Sequence, residues 1–237
     1  MSTFADRTLA FLSDLKFAGV LPEGVKVMNP FGNNTVVFHA VTEFYRKFYN
    51  DNLKRHLILG INPGRLGAGT TGIPFTDTIR LQEKCGISIP GIKTYEPSSA
   101  FIYEMIDRYG GPEKFYNDFF ISAVCPLGFT SKGVRGNDVN FNYYDSRELT
   151  DAVYSFIIHS LQRQIELGIE QDHCFCLGTG RNFKFLRDIN NEWHFFNLIE
   201  PLEHPRFIMQ YRKKKKEFYL LSYVNKLEGV GRNPEKR

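Results

Sequence analysis

The chain has few cysteines and no long hydrophobic runs. Its apolar stretches are far shorter than the roughly 20 residues that a membrane-spanning helix requires, so we expect no membrane partner. The cysteines, Cys85, Cys125, Cys174 and Cys176, do not have the spacing of a zinc or iron–sulfur site. We therefore predict buried, reduced thiols, and neither a metal nor a cofactor. The first residues lack a basic segment followed by an apolar one, which predicts no signal peptide and a cytoplasmic protein.

The net charge of the sequence is also small. A total of 30 Lys and Arg against 26 Asp and Glu gives a net charge of +4, which alone indicates little about nucleic acid. The distribution is more informative, because five consecutive cations run from Arg212 to Lys216. By default such a run is the solvated face of a helix. The length of 237 residues fits a single domain over 1–237, with 228–237 as a polar tail.

Short apolar runs alternate with helical patterns along the chain. Strands are predicted at 57–61, 119–125, 173–178 and 195–199. Helices are predicted at 3–16, 35–48, 146–167 and 179–190. Ser98 or Ser99 is the predicted cap of a further helix that runs to Tyr109, and a last helix after Arg206 runs to Leu227. This alternation is typical of an α/β fold whose parallel sheet is covered on both faces. We therefore predict a three-layer α/β/α sandwich with a four-stranded parallel sheet.

The remaining segments are predicted as connections. Segments 21–34 and 127–144 are expected to be loops, and a loop as long as the second is usually functional or mobile. Thr76 is the predicted N-cap of a short helix that ends at Gly86. The buried side of the last helix is assigned to four apolar residues, Phe207, Tyr211, Phe218 and Leu221.

Two residues at the ends of predicted strands are candidates for a catalytic role. The first strand stops at Asn62-Pro63-Gly64, since Pro63 cannot donate to a strand ladder, and ligands bind at the carboxyl ends of parallel strands. The Asn62 amide can orient a water molecule. His204, after the last strand, can donate a hydrogen bond to an oxygen that gains negative charge. Taken singly, Asn62 is an ordinary turn residue and His204 an ordinary loop histidine. Together they suit hydrolysis with an anionic leaving group.

Three motifs carry a family resemblance. Gly60-Ile61-Asn62-Pro63-Gly64, followed by Gly67 and Thr71-Gly72-Ile73-Pro74-Phe75, resembles the first motif of the single-strand-selective monofunctional uracil-DNA glycosylases. Cys125-Pro126-Leu127 and His204-Pro205 resemble later motifs of that family, in the expected order. The pattern is most similar to a bacterial branch, which implies the bacterial cytosol.

The resemblance implies a monofunctional DNA glycosylase of base excision repair. It would flip out and hydrolytically excise uracil and other deaminated or 5-modified bases, such as xanthine and hydroxymethyluracil. Asn62 would position the attacking water, and His204 would stabilise the departing base through its O2. Phe75 would stack on the base, while Ile61 and Gly64 would line the pocket. Gly64 stands where a related family has a tyrosine that blocks 5-substituted uracils. The partner would be single- or double-stranded DNA, bound by a monomer.

The chain departs from the family pattern in the base-reading part of the site. Ala123 stands where the family has an asparagine that reads the uracil edge. Recognition is left to Ser122, to backbone amides or to a loop asparagine, of which there are three: Asn137, Asn140 and Asn142. The loss of that asparagine predicts relaxed base selectivity.

A second departure concerns DNA contact. Arg206 and Phe207 follow His204-Pro205 in place of the family's Ser-Pro, and either is a candidate to fill the space of the extruded base. Arg212 and Lys213 in the cationic run are predicted to bind phosphates. The second candidates for phosphate binding are Lys132 and Arg135.

Two other functions stay open. The same fold would serve as a non-catalytic module that binds DNA damage or nucleic acid. A nucleotide enzyme is disfavoured because the glycine-threonine loop lacks a Gly-Lys-Ser/Thr ending. No candidate pocket lysine for a Schiff base is evident, so we expect hydrolysis without lyase activity.

Overall fold

The computed structural model describes residues 2–32 and 34–231. In chain order its elements are α1 (Phe4–Ser13), β1 (Lys26–Met28), α2 (Thr35–Phe48), β2 (Arg55–Gly60), α3 (Ala68–Thr71), α4 (Thr78–Cys85), α5 (Pro97–Tyr109), α6 (Pro112–Asp118), β3 (Phe119–Ala123), β4 (Gly128–Lys132), β5 (Asp138–Phe141), α7 (Arg147–Glu166), β6 (Ile169–Leu177), α8 (Arg181–Trp193), β7 (Leu198–Leu202), α9 (Pro205–Tyr211), a 3₁₀ turn (Lys213–Lys215) and α10 (Lys216–Glu228). The predicted polar tail begins inside α10, and its positions 232–237 lie outside the described residues.

The central sheet has four parallel strands in the order β3-β2-β6-β7. Every residue of β2 is buried, because this strand lies inside the sheet and helices flank it. The predicted α/β sandwich is confirmed. All four cysteines are free and buried, as predicted.

The last strand lies later than predicted, at Leu198–Leu202 instead of 195–199. Pro201 lies within this strand and not after it. An edge strand tolerates proline because one side of its backbone needs no ladder partner.

The starts of α4 and α7 are each fixed by a side chain that accepts a backbone hydrogen bond. Ser146 caps α7 as the predicted boundary requires, with its hydroxyl accepting from the Leu149 N–H. The N-cap of α4 is Asp77 and not Thr76, because the Asp77 carboxylate accepts from the Arg80 N–H at 2.8 Å. Helix α5 starts at Pro97, and its N-cap is Glu96 and neither Ser98 nor Ser99. The Glu96 carboxyl makes no capping hydrogen bond, so it is available for other contacts.

The two segments predicted as loops form a second sheet instead. Strands β1, β4 and β5 pair antiparallel in the order β1-β4-β5. The β4–β5 hairpin closes through a Gly133 N–H bond to the Asn137 carbonyl at 2.8 Å. The prediction was wrong because these strands are short and rich in Gly and Asn, and because β4 pairs with a distant segment of the chain. This hairpin carries Asn140 to the functional end of the molecule.

The last predicted helix is broken. Helix α9 ends at Tyr211, and the 3₁₀ turn shifts the phase of α10. As a result, Phe218 and Leu221 in α10 are 67% and 56% exposed, and Tyr211 at the end of α9 is 61% exposed; none of the three is buried as predicted. The buried side of α10 is formed by Leu220, Tyr223 and Leu227. Exposed aromatic rings therefore lie beside the cationic run.

Candidate active site

A pocket of about 440 Å³ opens beyond the carboxyl ends of β2 and β3. It brings together residues predicted separately along the chain: Ile61, Asn62, Gly64, Phe75, Ser122, His204, Arg206 and Phe207. Arg212 and Lys213 do not line it, and follow α9 on the exposed surface. The sequence motifs therefore converge on one cavity, with the predicted phosphate contacts outside it.

The Asn62 side chain is held in one orientation. Its Oδ1 accepts the Tyr143 N–H at 3.1 Å, while its Nδ2 lies 3.4 Å from the carbonyls of Pro63 and Phe141. The Tyr143 hydroxyl is itself fixed, donating to Asn182 Oδ1 at 2.8 Å. An amide oxygen has two lone pairs, so Asn62 Oδ1 retains one acceptor position for a water molecule.

His204 is a neutral hydrogen-bond donor to the pocket. It is the N-cap of α9, and its Nδ1 accepts the Arg206 backbone N–H at 3.1 Å. The ring proton therefore resides on Nε2. Burial, and then the nearby Arg206 charge, lower the pKa of His204 to about 4. The imidazole is therefore uncharged at neutral pH and offers an Nε2–H.

Phe75 forms an aromatic wall beside this imidazole. The two ring centroids lie 5.9 Å apart, with 50° between the ring planes. Phe75 has a φ of +50°, a conformation that L residues adopt at a cost of order 1–3 kcal/mol and that clusters at functional sites. A Cβ at Gly60 would lie only 2.8 Å from Phe75 Cε2, so the first glycine of the motif makes room for the ring.

The wall at the end of β3 is nearly apolar. Ser122 and Ala123 are each 7% exposed and pair with Leu59 and Gly60 of β2. The Ser122 hydroxyl has no hydrogen-bond partner among the described residues, and is the one side-chain polar group that this pair offers the pocket. The Ala123 carbonyl is occupied by Gln164 Nε2 at 3.3 Å.

The hairpin supplies further polar groups. Asn140 and Asn142 line the pocket, and Asn137 does not. Asn142 donates two hydrogen bonds to the Asp145 carboxylate, of 2.7 and 3.3 Å, from its backbone N–H and its side-chain amide. Asn140 Oδ1 accepts the Arg65 N–H at 3.0 Å.

Sequence reasoning missed Glu96, which also lines the pocket. Burial, followed by the charge of Asp77, raises the pKa of Glu96 to about 7, against an opposing effect of Arg206. No local pattern marks this residue, because its surroundings come from distant loops.

The mouth of the pocket is basic and aromatic. Arg206 is exposed and Phe207 is partly buried, and the Arg212 guanidinium lies 5.3 Å above the Phe207 ring. Lys213 is exposed. The second candidates differ from each other: Lys132 is paired with Asp138 at 2.9 Å, and Arg135 is exposed in the hairpin turn.

Among residues 2–32 and 34–231, no group of three or more His, Cys, Asp or Glu is placed to hold a metal ion. Within the same ranges, none of the helices combines the length and apolar character needed to cross a membrane.

Comparison with known proteins identifies the family. A family model described as the uracil DNA glycosylase superfamily matches residues 46–228. The chain belongs to the uracil DNA glycosylase superfamily. It is therefore a DNA glycosylase, a hydrolase whose partner is DNA, as the motifs predicted.

A solved structure extends this assignment to nearly the whole chain. The crystal structure of wild-type Pedobacter heparinus SMUG2 is 52% identical with a TM-score of 0.94, and the match covers 97% of this chain and 99% of that one. The resemblance of this glycosylase to the single-strand-selective monofunctional branch is confirmed. A comparison with curated protein sequences finds no match.

Proposed function

We propose that this glycosylase hydrolyses the N-glycosidic bond of uracil, and of related deaminated or 5-modified bases, with Asn62 and His204 as catalytic groups. One observation carries the proposal: a fixed amide oxygen and a neutral imidazole N–H converge on a pocket walled by Phe75. A flipped base is required, because the bond cannot be reached inside a duplex.

The proposed reaction uses each group for what its geometry allows. Asn62 Oδ1 orients a water molecule toward C1′ of the deoxyribose. For a pyrimidine such as uracil, negative charge grows on O2 as the C1′–N1 bond breaks, and the His204 Nε2–H donates a hydrogen bond to it. The water oxygen ends on C1′, and its proton balances the departing base anion. A neutral donor in a buried site stabilises this charge without a proton transfer.

The proposal does not include a lyase step. A lyase step through a Schiff base requires an amine in the pocket. None of the described residues that line the pocket is a lysine. Plain hydrolysis is the chemistry that the remaining groups support.

The open walls support a broad substrate range. Gly64 has no side chain and Ala123 has no polar group, so neither excludes substituents on the base. We include xanthine and hydroxymethyluracil as substrates on this ground.

The residues at the pocket mouth support contact with the bases and with the phosphates of DNA. Arg206 or Phe207 lies where it can occupy the space of the extruded base, and Arg212 and Lys213 are exposed for phosphates. Exposed aromatic rings beside cations favour single-stranded DNA, since unpaired bases stack on them. A cytoplasmic monomer completes the proposal.

Base release from synthetic oligonucleotides tests the proposal. Wild-type protein is incubated with oligonucleotides that carry uracil, hydroxymethyluracil, xanthine or hypoxanthine, each single- and double-stranded. Release of uracil, and of at least one of the others, is the expected result. DNA binding without release from any of them would establish the non-catalytic module instead.

A further inference from the structure

Two polar side chains flank one point in the pocket. A Cβ placed on Gly64 would lie 3.4 Å from Glu96 Oε1 and 3.4 Å from Asn140 Nδ2. All three residues line the cavity. The absence of a side chain at Gly64 therefore leaves this point open, with a hydrogen-bond acceptor and a hydrogen-bond donor both beside it.

The orientation of Asn140 is fixed by the backbone. Its Oδ1 accepts the Arg65 N–H at 3.0 Å, which assigns the other amide atom as the nitrogen. Nδ2 makes no hydrogen bond within the described residues. Its two N–H groups are thus available to a carbonyl oxygen of a ligand.

The Glu96 carboxyl is held in place without a partner of its own. The Glu96 backbone N–H donates to Asp77 Oδ2 at 2.7 Å. The carboxyl lies against Gly67, where an added Cβ would overlap Oε2. No side chain or backbone group of the described residues donates a hydrogen bond to it. Glu96 is only partly buried, so a carboxyl that accepts no hydrogen bond from the protein is free to accept one from a ligand in the pocket.

We propose that Glu96 and Asn140 form the base-reading pair of this glycosylase. In its ionised form the Glu96 carboxyl accepts a hydrogen bond from a donor on the flipped base, and Asn140 Nδ2 donates to an adjacent acceptor. Glu96 precedes α5 and Asn140 lies in β5, and together they replace the polar reader that Ala123 does not provide.

The pattern of the pair matches some bases and opposes others. The imide edge of uracil presents N3–H beside O4, and a 5-hydroxymethyl group presents both donor and acceptor. Cytosine presents the reverse order, an acceptor at N3 beside a donor at N4. The pair therefore favours deaminated pyrimidines and disfavours the undamaged base.

This inference rests on the proposed function, and its test uses substitutions that change one group at a time. Glu96→Ala removes the acceptor, and Glu96→Gln keeps a weaker, neutral one. Asn140→Asp keeps the oxygen that accepts from Arg65 but replaces the donor. Glu113→Ala and Asn137→Asp are the matched controls, since both residues are exposed and outside the pocket.

Single-turnover excision is measured on single-stranded uracil and hydroxymethyluracil oligonucleotides. Loss of a hydrogen bond to a charged group predicts that Glu96→Ala slows excision by about tenfold or more, with Glu96→Gln intermediate and both controls within about twofold. Loss on both substrates places the pair on the imide edge, and loss on hydroxymethyluracil alone places it on the 5-substituent.

The outcomes distinguish a failure of the base-reading pair from a failure of the proposed function. A change of less than about fivefold on both substrates for Glu96→Ala and Asn140→Asp, with an active wild type, overturns the base-reading pair alone. An inactive wild type overturns the proposed function instead. Thermal unfolding distinguishes a structural role, since a carboxyl without a protein partner predicts no loss of stability in Glu96→Gln. If Glu96→Gln is less stable than the wild type, and Glu96→Gln and Glu96→Ala lose the same activity, Glu96 has a structural role and the base-reading pair is also overturned.

Discussion

Removing the Glu96 charge should stabilise the protein, in a way that depends on pH. The pKa of this carboxyl is raised from 4.5 to about 7 in the folded protein, chiefly by burial. The folded state therefore binds more protons than the unfolded state between these values. Ionisation costs nothing below the lower pKa, and the destabilisation accumulates as pH rises from the lower pKa to the higher one, above which it is constant.

The magnitude follows from the size of the shift. A raise of about 2.5 pKa units corresponds to about 3 kcal/mol at 1.36 kcal/mol per unit, and partial exposure of the group reduces this to about 2 kcal/mol. Glu96→Gln should therefore be more stable than the wild type by about 2 kcal/mol at pH 8 and about equal to it near pH 4.

Urea unfolding of both proteins across this pH range measures the difference. Subtraction of the two curves cancels the titration of all other groups, to the extent that they are independent of Glu96. Glu113→Gln, at an exposed site, controls for the loss of one negative charge. A stability difference that does not change with pH, or a variant less stable than the wild type at pH 8, would refute the reasoning.

Three further predictions follow from the site and its mouth. His204→Ala should lower the rate of base release by about 10²–10³ while DNA binding is kept, because one transition-state donor is lost, as single-turnover kinetics and filter binding will show. Gly60→Ala should displace the Phe75 ring, which its Cβ would approach to 2.8 Å, and lower base release by about tenfold with the far-UV spectrum unchanged. Tyr211→Ala combined with Phe218→Ala should weaken single-stranded DNA binding by about 1–3 kcal/mol per lost stack and duplex binding less, as anisotropy titrations will show. Equal losses for both kinds of DNA would contradict the stacking role.

The central sheet and the catalytic half of the site are predictable from the sequence because they depend on local patterns. Strand β2 is a continuous apolar run, and Pro63 ends it, which places Asn62 at the edge where ligands bind. His204 lies beside a proline after the last strand, at the same edge of the sheet. These positions require no knowledge of distant contacts.

The rest of the site depends on tertiary contacts that leave no local signal. The β4–β5 hairpin forms against β1, so its Gly- and Asn-rich segment resembles a loop when taken alone. The exposure of Phe218 follows from the 3₁₀ break before α10, since an uninterrupted helix would place it differently. Glu96 gains its role from Gly64 and Gly67, which meet it from another loop.

The most direct test of the account is single-turnover excision by Asn62→Ala on a single-stranded uracil oligonucleotide, with DNA affinity measured in parallel. If Asn62 positions the attacking water, base release should fall by about 10²-fold or more while affinity stays within about threefold. Base release at the wild-type rate would contradict the assignment of Asn62, and with it the mechanism proposed for this glycosylase.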